Sequence, residues 1–549
     1  MAWRLFRGSE EIHLEPKVLR LLIYLITNRD RLVTRQELMD TVWGDTVISE
    51  TALSQAVARL RKALGDNTAS PRYIETVHSQ GYRFSTKVKA SGRAIHSIAV
   101  LPLKNLTGDP GQDYMAYGLQ DSLTTELSRI SELRVTSFQS TMHYGDSDRT
   151  RREIALELGV DALVEGSLVQ IGEQIEVNLQ LVDGRTGENI WAQHFERKIP
   201  YTFDLLTTVV NAMASEIGLH SPHELIGPID PNAIQAYWLG LNHMNRFSPT
   251  GLASAIDHLG TATEIEPRFD LAWGNLAVAH FLQMLAGFAP PGESMEKAQL
   301  AAQQAVRVGN RSSIGHAVLG WTHLCNQDFP SAFEATREAL RINPSDPFAI
   351  HGDADCLLYE GRMEESVERV RELAVIAPFS VIHQVPLCYH LFLARRYDES
   401  LAVALSIQDR FPDFPLHENL SLIYWQQGLY DKALKEDRHK YELYGDSELL
   451  ALFDENEAAK DPRELMRAIA ETLVERSAES YVDALDIGEA FARAGAVDEA
   501  IDWLTRAVEQ KSFAVVHLPF RPDFDGLRGD PRYSELLQRL GYPTHEPGK

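Results

Sequence analysis

Cysteine is scarce in this chain of 549 residues, which contains only Cys325, Cys356 and Cys388. The three lie 31 and 32 residues apart and form no C-x-x-C pair, so they predict neither a zinc site nor a disulfide framework. We expect all three to be small residues packed inside helices. No metal site and no cofactor is predicted anywhere in the chain.

Long apolar runs are also missing. A membrane helix needs roughly 20 apolar residues, and the longest candidate, Leu19–Ile26, is short and contains Arg20. The first residues show no signal-peptide pattern. We therefore expect a cytoplasmic protein that does not contact the membrane.

Catalytic and nucleotide-binding motifs are lacking. The loop Gly108-Asp-Pro-Gly111 follows a strand-like run, but it has neither the G-x-G-x-x-G pattern nor the Walker lysine, which favours a tight turn over a phosphate site. Histidines such as His316, His323, His351 and His383 have no metal-ligand spacing and no paired nucleophile. We predict no catalytic residue.

Charge of one sign dominates the chain, but unevenly. The formal net charge is −25, yet residues 1–92 hold 14 Lys and Arg against 10 Asp and Glu, a net of +4. The remaining residues therefore carry −29. A mildly basic head on an acidic body is typical of a protein whose head binds DNA while the body stays away from the phosphates.

The stretch Ile48–Gly65 predicts one helix with both ends marked. Ser49 is a good N-cap, and Gly65 suits a left-handed terminator. Apolar residues at helical spacing predict a buried stripe, formed by Leu53, Val57, Leu60 and Leu64. The opposite face carries donors and positive charge with no carboxylate beyond the first turn: Thr51, Gln55, Ala58, Arg59 and Lys62, with Arg61 on the flank.

Such a face on an isolated helix is often only a solvated basic surface. Here two strand-like runs follow, Tyr73–Val77 and Tyr82–Thr86, joined through polar residues. A helix with a donor face and a β-ribbon behind it can enter a major groove while the ribbon follows the backbone or the neighbouring minor groove.

Four motifs in order now identify a resemblance: Val33-Thr-Arg-Gln-Glu-Leu38, Val42-Trp-Gly44, Arg59-Leu-Arg-Lys-Ala-Leu64 and Tyr73–Val77 with Gly81-Tyr-Arg-Phe84. Residues 1–88 resemble the OmpR/PhoB-type winged-helix domain. The resemblance and the helix geometry imply base contacts from Thr51, Gln55 and Arg59. They imply phosphate contacts from Trp43, Arg61, Lys62 and Thr76, and wing contacts from His78, Gln80 and Arg83.

Two features depart from that family. Only about two short strands, near Trp3–Arg7 and Glu11–Leu14, fit before the first helix, where four are usual. The wing has His78-Ser79 in place of the common Arg-Gly. The first helix should start at Pro16 and bury Leu19, Leu22, Ile23 and Ile26, and a capping box from Thr34 to Glu37 should open the second.

Residues 89–96 read as a linker, and residues 97–220 alternate strand and helix, which predicts an α/β domain. The sequences Ile98–Pro110, Leu163-Val-Glu-Gly-Ser167 and Ile190-Trp191 resemble the TolB-like amino-terminal domain. That resemblance implies an accessory or assembly role and no known chemistry.

Residues 230–545 carry an internal repeat. Pro344, Pro378 and Pro412 are each 34 residues apart, with small or apolar residues at fixed offsets before them. This pattern resembles the tetratricopeptide repeat and predicts six or seven helix pairs in a right-handed solenoid, closed by a capping helix over Asp530–Leu540. An acidic concave surface would suit a basic or extended protein or peptide partner.

The sequence thus predicts a multidomain protein, α/β plus all-α: a winged helix-turn-helix, a TolB-like α/β domain and an α-solenoid. The leading hypothesis is a transcription regulator that binds double-stranded DNA. In this hypothesis the α/β domain and the solenoid either form a homodimer or dock a protein partner. The alternative is a non-catalytic repeat scaffold whose head binds protein. An enzyme hidden in the middle domain ranks last.

Overall fold

The structure is a computed structural model, and it describes residues 5–7, 10–12, 14–28, 31–43, 50–68, 71–77, 80–85, 95–145, 147–221, 227–245, 248–285, 288, 291–309, 312–412, 414–455 and 461–542. The chain forms two compact units, residues 1–94 and 95–549.

The described part of the first unit contains three main helical segments and short strands. In chain order they are β1 (Leu5–Arg7), β2 (Glu10–Ile12), α1 (Pro16–Thr27), β3 (Val33–Thr34), α2 (Arg35–Leu38), a π-turn over Met39–Trp43, α3 (Glu50–Leu64), β4 (Ile74–Val77) and β5 (Gly81–Phe84). Strands β1 and β2 form an antiparallel ribbon, as the two short strands in the sequence predict. Strands β3, β5 and β4 form a second small sheet in that order.

Helix α1 begins at Pro16 as predicted, but its buried face is a different one. The core side chains of this helix are Val18, Leu21, Leu22 and Leu25. Of the four predicted core residues only Leu22 is fully buried, whereas Leu19, Ile23 and Ile26 are half-buried. The helix is apolar on most of its circumference, so its period allows two phases, and packing against α3 selects the other one.

Helix α3 follows its prediction more closely. Leu53, Val57 and Leu60 are buried, and Leu64 at the last turn is half-buried. Gly65 ends the helix with a φ of 69°, the left-handed conformation that glycine adopts without strain. Ser49, the predicted N-cap, lies outside the described residues.

The second unit begins with a mixed sheet. Its strands are β6 (Ser97–Val100), β7 (Lys104–Asn105), β8 (Arg134–Val135), β9 (Ala162–Ile171), β10 (Gln174–Asp183) and β11 (Asn189–Lys198). The order is β11-β10-β9-β6-β8 with β7 beside β9; β6 is parallel to β8 and β9, and β9 to β11 form an antiparallel meander. Four helices accompany it: α4 (Asp113–Leu127), α5 (Phe138–Met142), α6 (Arg151–Leu158) and α7 (Thr202–Glu216). The α/β prediction is confirmed.

The loop from Gly108 to Gly111 is a tight turn. The Asp109 carboxylate accepts a hydrogen bond from the backbone N–H of Gly111 at 2.9 Å, and the Asn105 side chain donates to the Asp109 carbonyl oxygen at 3.0 Å. The Gly111 donor that a phosphate would need is therefore already used, in agreement with the turn expected from the sequence.

Helix pairs fill the rest of the second unit. They are α8 (Pro231–Met244) with α9 (Pro249–Ile265), α10 (Asp270–Leu285) with α11 (Pro291–Val308), α12 (Ser313–Cys325) with α13 (Phe329–Ile342), α14 (Pro347–Tyr359) with α15 (Met363–Ile376), α16 (Val381–Leu393) with α17 (Tyr397–Arg410), α18 (His417–Gln426) with α19 (Tyr430–Tyr444), α20 (Ser447–Glu455) with α21 (Pro462–Ser477), and α22 (Ala484–Ala494) with α23 (Val497–Glu509). A last helix, α24 (Pro531–Arg539), follows where the capping helix is predicted.

The described residues thus form eight helix pairs, one more than the larger of the two predicted numbers. The repeat pattern in the sequence did not identify the pair α20–α21, although Ala470 of α21 is a buried small residue. The small residues of the repeat pattern lie where the two helices of a pair contact each other. A Cβ placed on Gly240 would lie 2.6 Å from Leu259 Cγ of the partner helix, and one on Gly320 would lie 2.5 Å from Thr336 Oγ1.

The sheet and most of the repeats share one hydrophobic core, which runs from Ile98 in β6 to Tyr542 beyond α24, whereas the buried residues of α15 to α19 form separate clusters. Trp238 of α8 packs directly on Gly118 of α4 and is almost fully buried. The three cysteines are free and buried in helices, as predicted.

The residues after α23 fold back on the middle of the repeats. A 3-10 turn, Phe513–His517, brings His517 Nε2 to 3.1 Å from Asp355 Oδ1 of α14. Further on, Arg395 pairs with Asp525 at 2.5 Å, and the Tyr359 hydroxyl donates to the Gly541 carbonyl oxygen at 2.9 Å. Part of the surface of α14 and its neighbours is therefore covered by the chain's own C-terminal segment.

Candidate nucleic-acid interface

The solvent-facing side of α3 carries the side chains that the sequence assigns to DNA. Four of them are exposed: Thr51, Gln55, Arg59 and Lys62. They lie opposite the buried stripe, so the hydrophobic core fixes which way the donor face points. The exposure agrees with the prediction, and the assignment of each residue to bases or phosphates remains a prediction.

Arg59 has a partner that the helix pattern did not reveal. Its Nη1 lies 2.6 Å and 2.8 Å from the two carboxylate oxygens of Glu15, the residue just before α1. The two side chains are 57% and 65% exposed. An exposed ion pair contributes at most about 1 kcal/mol, so a base edge or a phosphate can displace Glu15 at low cost.

Arg61 points into the first unit, which argues against the phosphate contact predicted for it. It is 8% exposed, and its Nη2 donates to the Ile74 carbonyl oxygen at 2.6 Å and to Thr76 Oγ1 at 2.8 Å. The guanidinium therefore ties α3 to the first strand of the wing. Thr76 lies on the exposed side of β4, and its hydroxyl oxygen accepts a hydrogen bond from Arg61. The phosphate contact of Thr76 stays a prediction.

Asp66 organises the chain between α3 and the wing. Its carboxylate accepts backbone hydrogen bonds from Arg72 at 2.7 Å and from Ile74 at 2.9 Å, besides those from Asn67 and Tyr73. Burial opposes ionisation of this carboxyl, but the backbone donors outweigh it and hold its pKa below the usual range. The carboxylate therefore ties the end of α3 to the residues that begin the wing.

The wing is the antiparallel hairpin β4–β5. Glu75 and Arg83 are cross-strand partners, with Arg83 Nη1 at 3.9 Å from Glu75 Oε2. Arg83 and Gln80 are exposed, as wing contacts must be. His78, the third predicted wing contact, lies outside the described residues.

Trp43, a predicted phosphate contact, is half-buried against the core of the first unit. The segment before it is fastened by Glu37, which accepts hydrogen bonds from Arg31 Nη1 at 2.9 Å and the Tyr24 hydroxyl at 2.8 Å. These hydrogen bonds, with Arg31 the stronger cause, lower the pKa of Glu37 to about 2. The capping bond from the Glu37 N–H to Thr34 Oγ1, 3.2 Å, is present as predicted.

Two protein families match parts of the chain. Residues 9–84 match the family described as "Transcriptional regulatory protein, C terminal", and residues 467–515 match the tetratricopeptide repeat. The first match covers the winged-helix unit almost from end to end. The second covers α22 and α23 with part of α21.

The curated relatives include transcriptional regulators and one protein named as an enzyme. The transcriptional regulator HilA of Salmonella typhi is 22% identical over 385 residues, 68% of each protein. The phosphate regulon protein PhoB of Pseudomonas aeruginosa is 42% identical over 73 residues, 13% of this chain and 31% of PhoB. A Rhizobium meliloti protein named "Putative adenylate cyclase 3" is 30% identical over 232 residues, 41% of this chain and 39% of that protein.

Among solved structures, the human IFIT1 dimer with m7Gppp-AAAA overlaps 56% of this chain and 78% of its own, with 13% identity and a TM-score of 0.35. A tetratricopeptide-repeat protein of Thermus thermophilus overlaps 35% of this chain at 18% identity and a TM-score of 0.25. Within the described residues, no helix combines the length and apolar character required to cross a bilayer.

The winged-helix geometry, the family match over residues 9–84 and the regulator relatives agree. The chain carries an OmpR/PhoB-type transcriptional regulatory domain and tetratricopeptide repeats, and it is similar to the transcriptional regulators HilA and PhoB.

Proposed function

We propose that this chain reads a specific DNA sequence by inserting α3 into the major groove. The exposed donor face of α3, backed by a fixed core and free of carboxylates beyond the first turn, carries this proposal. Thr51, Gln55 and Arg59 reach base edges, where guanidinium and amide groups discriminate between base pairs. Lys62 and Trp43 hold phosphates, and the wing follows the backbone with His78, Gln80 and Arg83.

Two alanine variants of the full chain distinguish base recognition from phosphate binding. Arg59→Ala should lose about 1–3 kcal/mol on the preferred site and relax the sequence preference. Lys62→Ala should weaken every sequence alike and lower the slope of log K against log salt by about one.

Titrations of preferred and scrambled duplexes at several salt concentrations distinguish the two effects. Arg20→Ala, which removes an exposed arginine from α1, is the charge-matched control. Equal losses on preferred and scrambled DNA for both Arg59→Ala and Lys62→Ala would contradict the assignment.

The second unit supplies what one winged helix lacks. A single DNA-binding module buries on the order of 600–1,000 Å² and binds weakly. The α/β domain and the repeats therefore bring a second head, through a homodimer, or dock a protein partner. This assignment rests on the repeat architecture. We also propose that the protein is cytoplasmic and is not an enzyme.

The rival function is a repeat scaffold whose head binds protein. A gel-shift experiment with residues 1–92 alone distinguishes the two functions. A DNA-binding head shifts random duplex DNA at low salt, and a protein-binding head does not. The similarity to a protein named as an adenylate cyclase covers 39% of that relative. A cyclic nucleotide formed from ATP by the purified chain would overturn the non-enzyme assignment.

A further inference from the structure

Three polar side chains converge inside the repeats on two neighbouring helices. His351 and Asp355 lie one turn apart on α14, and His390 lies on α16. One ligand atom from each, a ring nitrogen or a carboxylate oxygen, lies within 4.8 Å of the other two. The side chains of His390 and Asp355 are 1% and 2% exposed.

The carboxylate of Asp355 is only partly satisfied. Its Oδ1 lies 3.2 Å from His390 Nε2 and 3.1 Å from Nε2 of His517, which the C-terminal segment brings in. Its Oδ2 is buried without a hydrogen-bond partner, and so is Nε2 of His390. Four-coordinate zinc with bonds of about 2.0–2.2 Å spaces its ligand atoms roughly 3.3–3.6 Å apart. The two distances from Asp355 Oδ1 are close to this spacing, and the ligand atom of His351 lies within 4.8 Å of the other two.

Ser366 fixes the tautomer of His390. The Ser366 hydroxyl donates its one hydrogen to the Ala354 carbonyl oxygen at 2.8 Å, so it accepts from His390 Nδ1, also at 2.8 Å. In the neutral ring, Nε2 then carries a lone pair directed at the Asp355 carboxylate. Two electron-rich atoms at this distance need a cation between them, and a metal-binding histidine is oriented by this kind of partner on its other nitrogen.

We propose that His351, Asp355 and His390 bind a divalent transition-metal ion of the zinc type, with His517 at the fourth position. Two or three imidazoles and one carboxylate suit zinc and disfavour calcium and magnesium, which take oxygen ligands. The ion would fasten the Phe513–His517 turn to α14 and α16, so its role is to hold the C-terminal segment on the repeats.

Zinc binding by the full chain, stripped with a chelator and dialysed, tests the proposal. We expect about one ion retained at this group per chain, and cobalt(II) in its place should give the visible absorption of a low-symmetry nitrogen and oxygen site. His390→Gln should abolish both signals. His439→Gln is the control, because it alters the other histidine-containing group among the described residues, His417–Glu436–His439, and leaves this one intact.

Ser366 offers a sharper pair of variants. Its hydroxyl bonds the Ala354 carbonyl oxygen as the Ser400 hydroxyl, one repeat later, bonds that of Cys388 at 2.7 Å. Alanine occupies the corresponding position at Ala332, so both serines can be replaced without loss of packing. Ser366→Ala should weaken zinc binding about 10–100-fold through the loss of His390 orientation. Ser400→Ala should leave it unchanged.

Circular dichroism of each variant shows whether the helices persist. Folded wild-type protein that takes up neither zinc nor cobalt(II) would overturn the proposal, and the group would then be a protonated histidine paired with Asp355. Binding that survives His390→Gln but disappears in His439→Gln would overturn it equally, because the ion would sit at the other group.

Discussion

At the scale of single residues, the arginine that we propose to contact bases forms an ion pair within the free protein. Arg59 is bound by both carboxylate oxygens of Glu15, and both side chains face solvent. In the proposed complex DNA would have to displace this carboxylate, so the ion pair with Glu15 would lower the affinity for DNA by the free energy of the pair.

Glu15→Gln should therefore bind DNA more tightly than the wild type. Release of an exposed ion pair is worth up to about 1 kcal/mol, which corresponds to about fivefold in the dissociation constant. Fluorescence anisotropy with a labelled duplex measures it, and Asp40→Asn provides the control for the lost charge at another exposed carboxylate. Equal gains for both variants would show that only net charge changed.

Arg61→Met should destabilise the winged-helix unit instead of removing a phosphate contact. The Ile74 carbonyl oxygen loses its buried donor, at a cost of about 1–3 kcal/mol. Urea unfolding of residues 1–94, which have their own core, measures the loss. The salt slope of DNA binding should stay at the wild-type value; a slope lower by about one would restore Arg61 as a phosphate ligand.

The exposure of single residues was predictable where helix period alone determines it. The exposed positions of Gln55 and Arg59 follow from the buried stripe of α3, because the two faces of a helix are set by the same geometry. The burial of Arg61 does not, since its position on the flank says nothing about a carbonyl oxygen at Ile74. Glu15 and Asp66 act across loops, and no local pattern encodes their partners.

At the scale of elements, capping and turn residues located helix ends better than period located helix faces. Pro16 and Gly65 mark the ends of α1 and α3 where the structure has them. The predicted buried face of α1 was wrong because its apolar residues form two possible stripes, offset from each other by one residue. The group around Asp355 was missed because its members come from three separate segments, and only His351 and Asp355 are close in sequence.

Close helix contact in the repeats depends on glycine at the crossing points. Gly240→Ala should lower the urea midpoint of the second unit, since the new Cβ lies 2.6 Å from Leu259 Cγ and overpacking costs about 1–3 kcal/mol. Gly260→Ala, on the adjacent helix, meets nothing within 4 Å and should leave the midpoint unchanged or raise it. Equal shifts in the two variants would contradict contact as the cause.

At the scale of the whole molecule, charge and packing divide the chain in the same place. The mildly basic residues 1–92 nearly coincide with the first compact unit, and the acidic remainder is the second. In the second unit the α/β region and most of the repeats share a core, so Trp238 on Gly118 couples them mechanically. The winged helix, in contrast, has a core of its own.

The most direct test of DNA binding by this acidic protein is a salt titration of the full chain with random-sequence duplex. Lysine and arginine contacts to phosphates release counterions, so binding should be strong at about 50 mM salt and fall steeply by about 200 mM. That steep linear fall in log K is the result we expect. No binding at the lowest ionic strength would contradict the regulator function and leave the repeats as a scaffold.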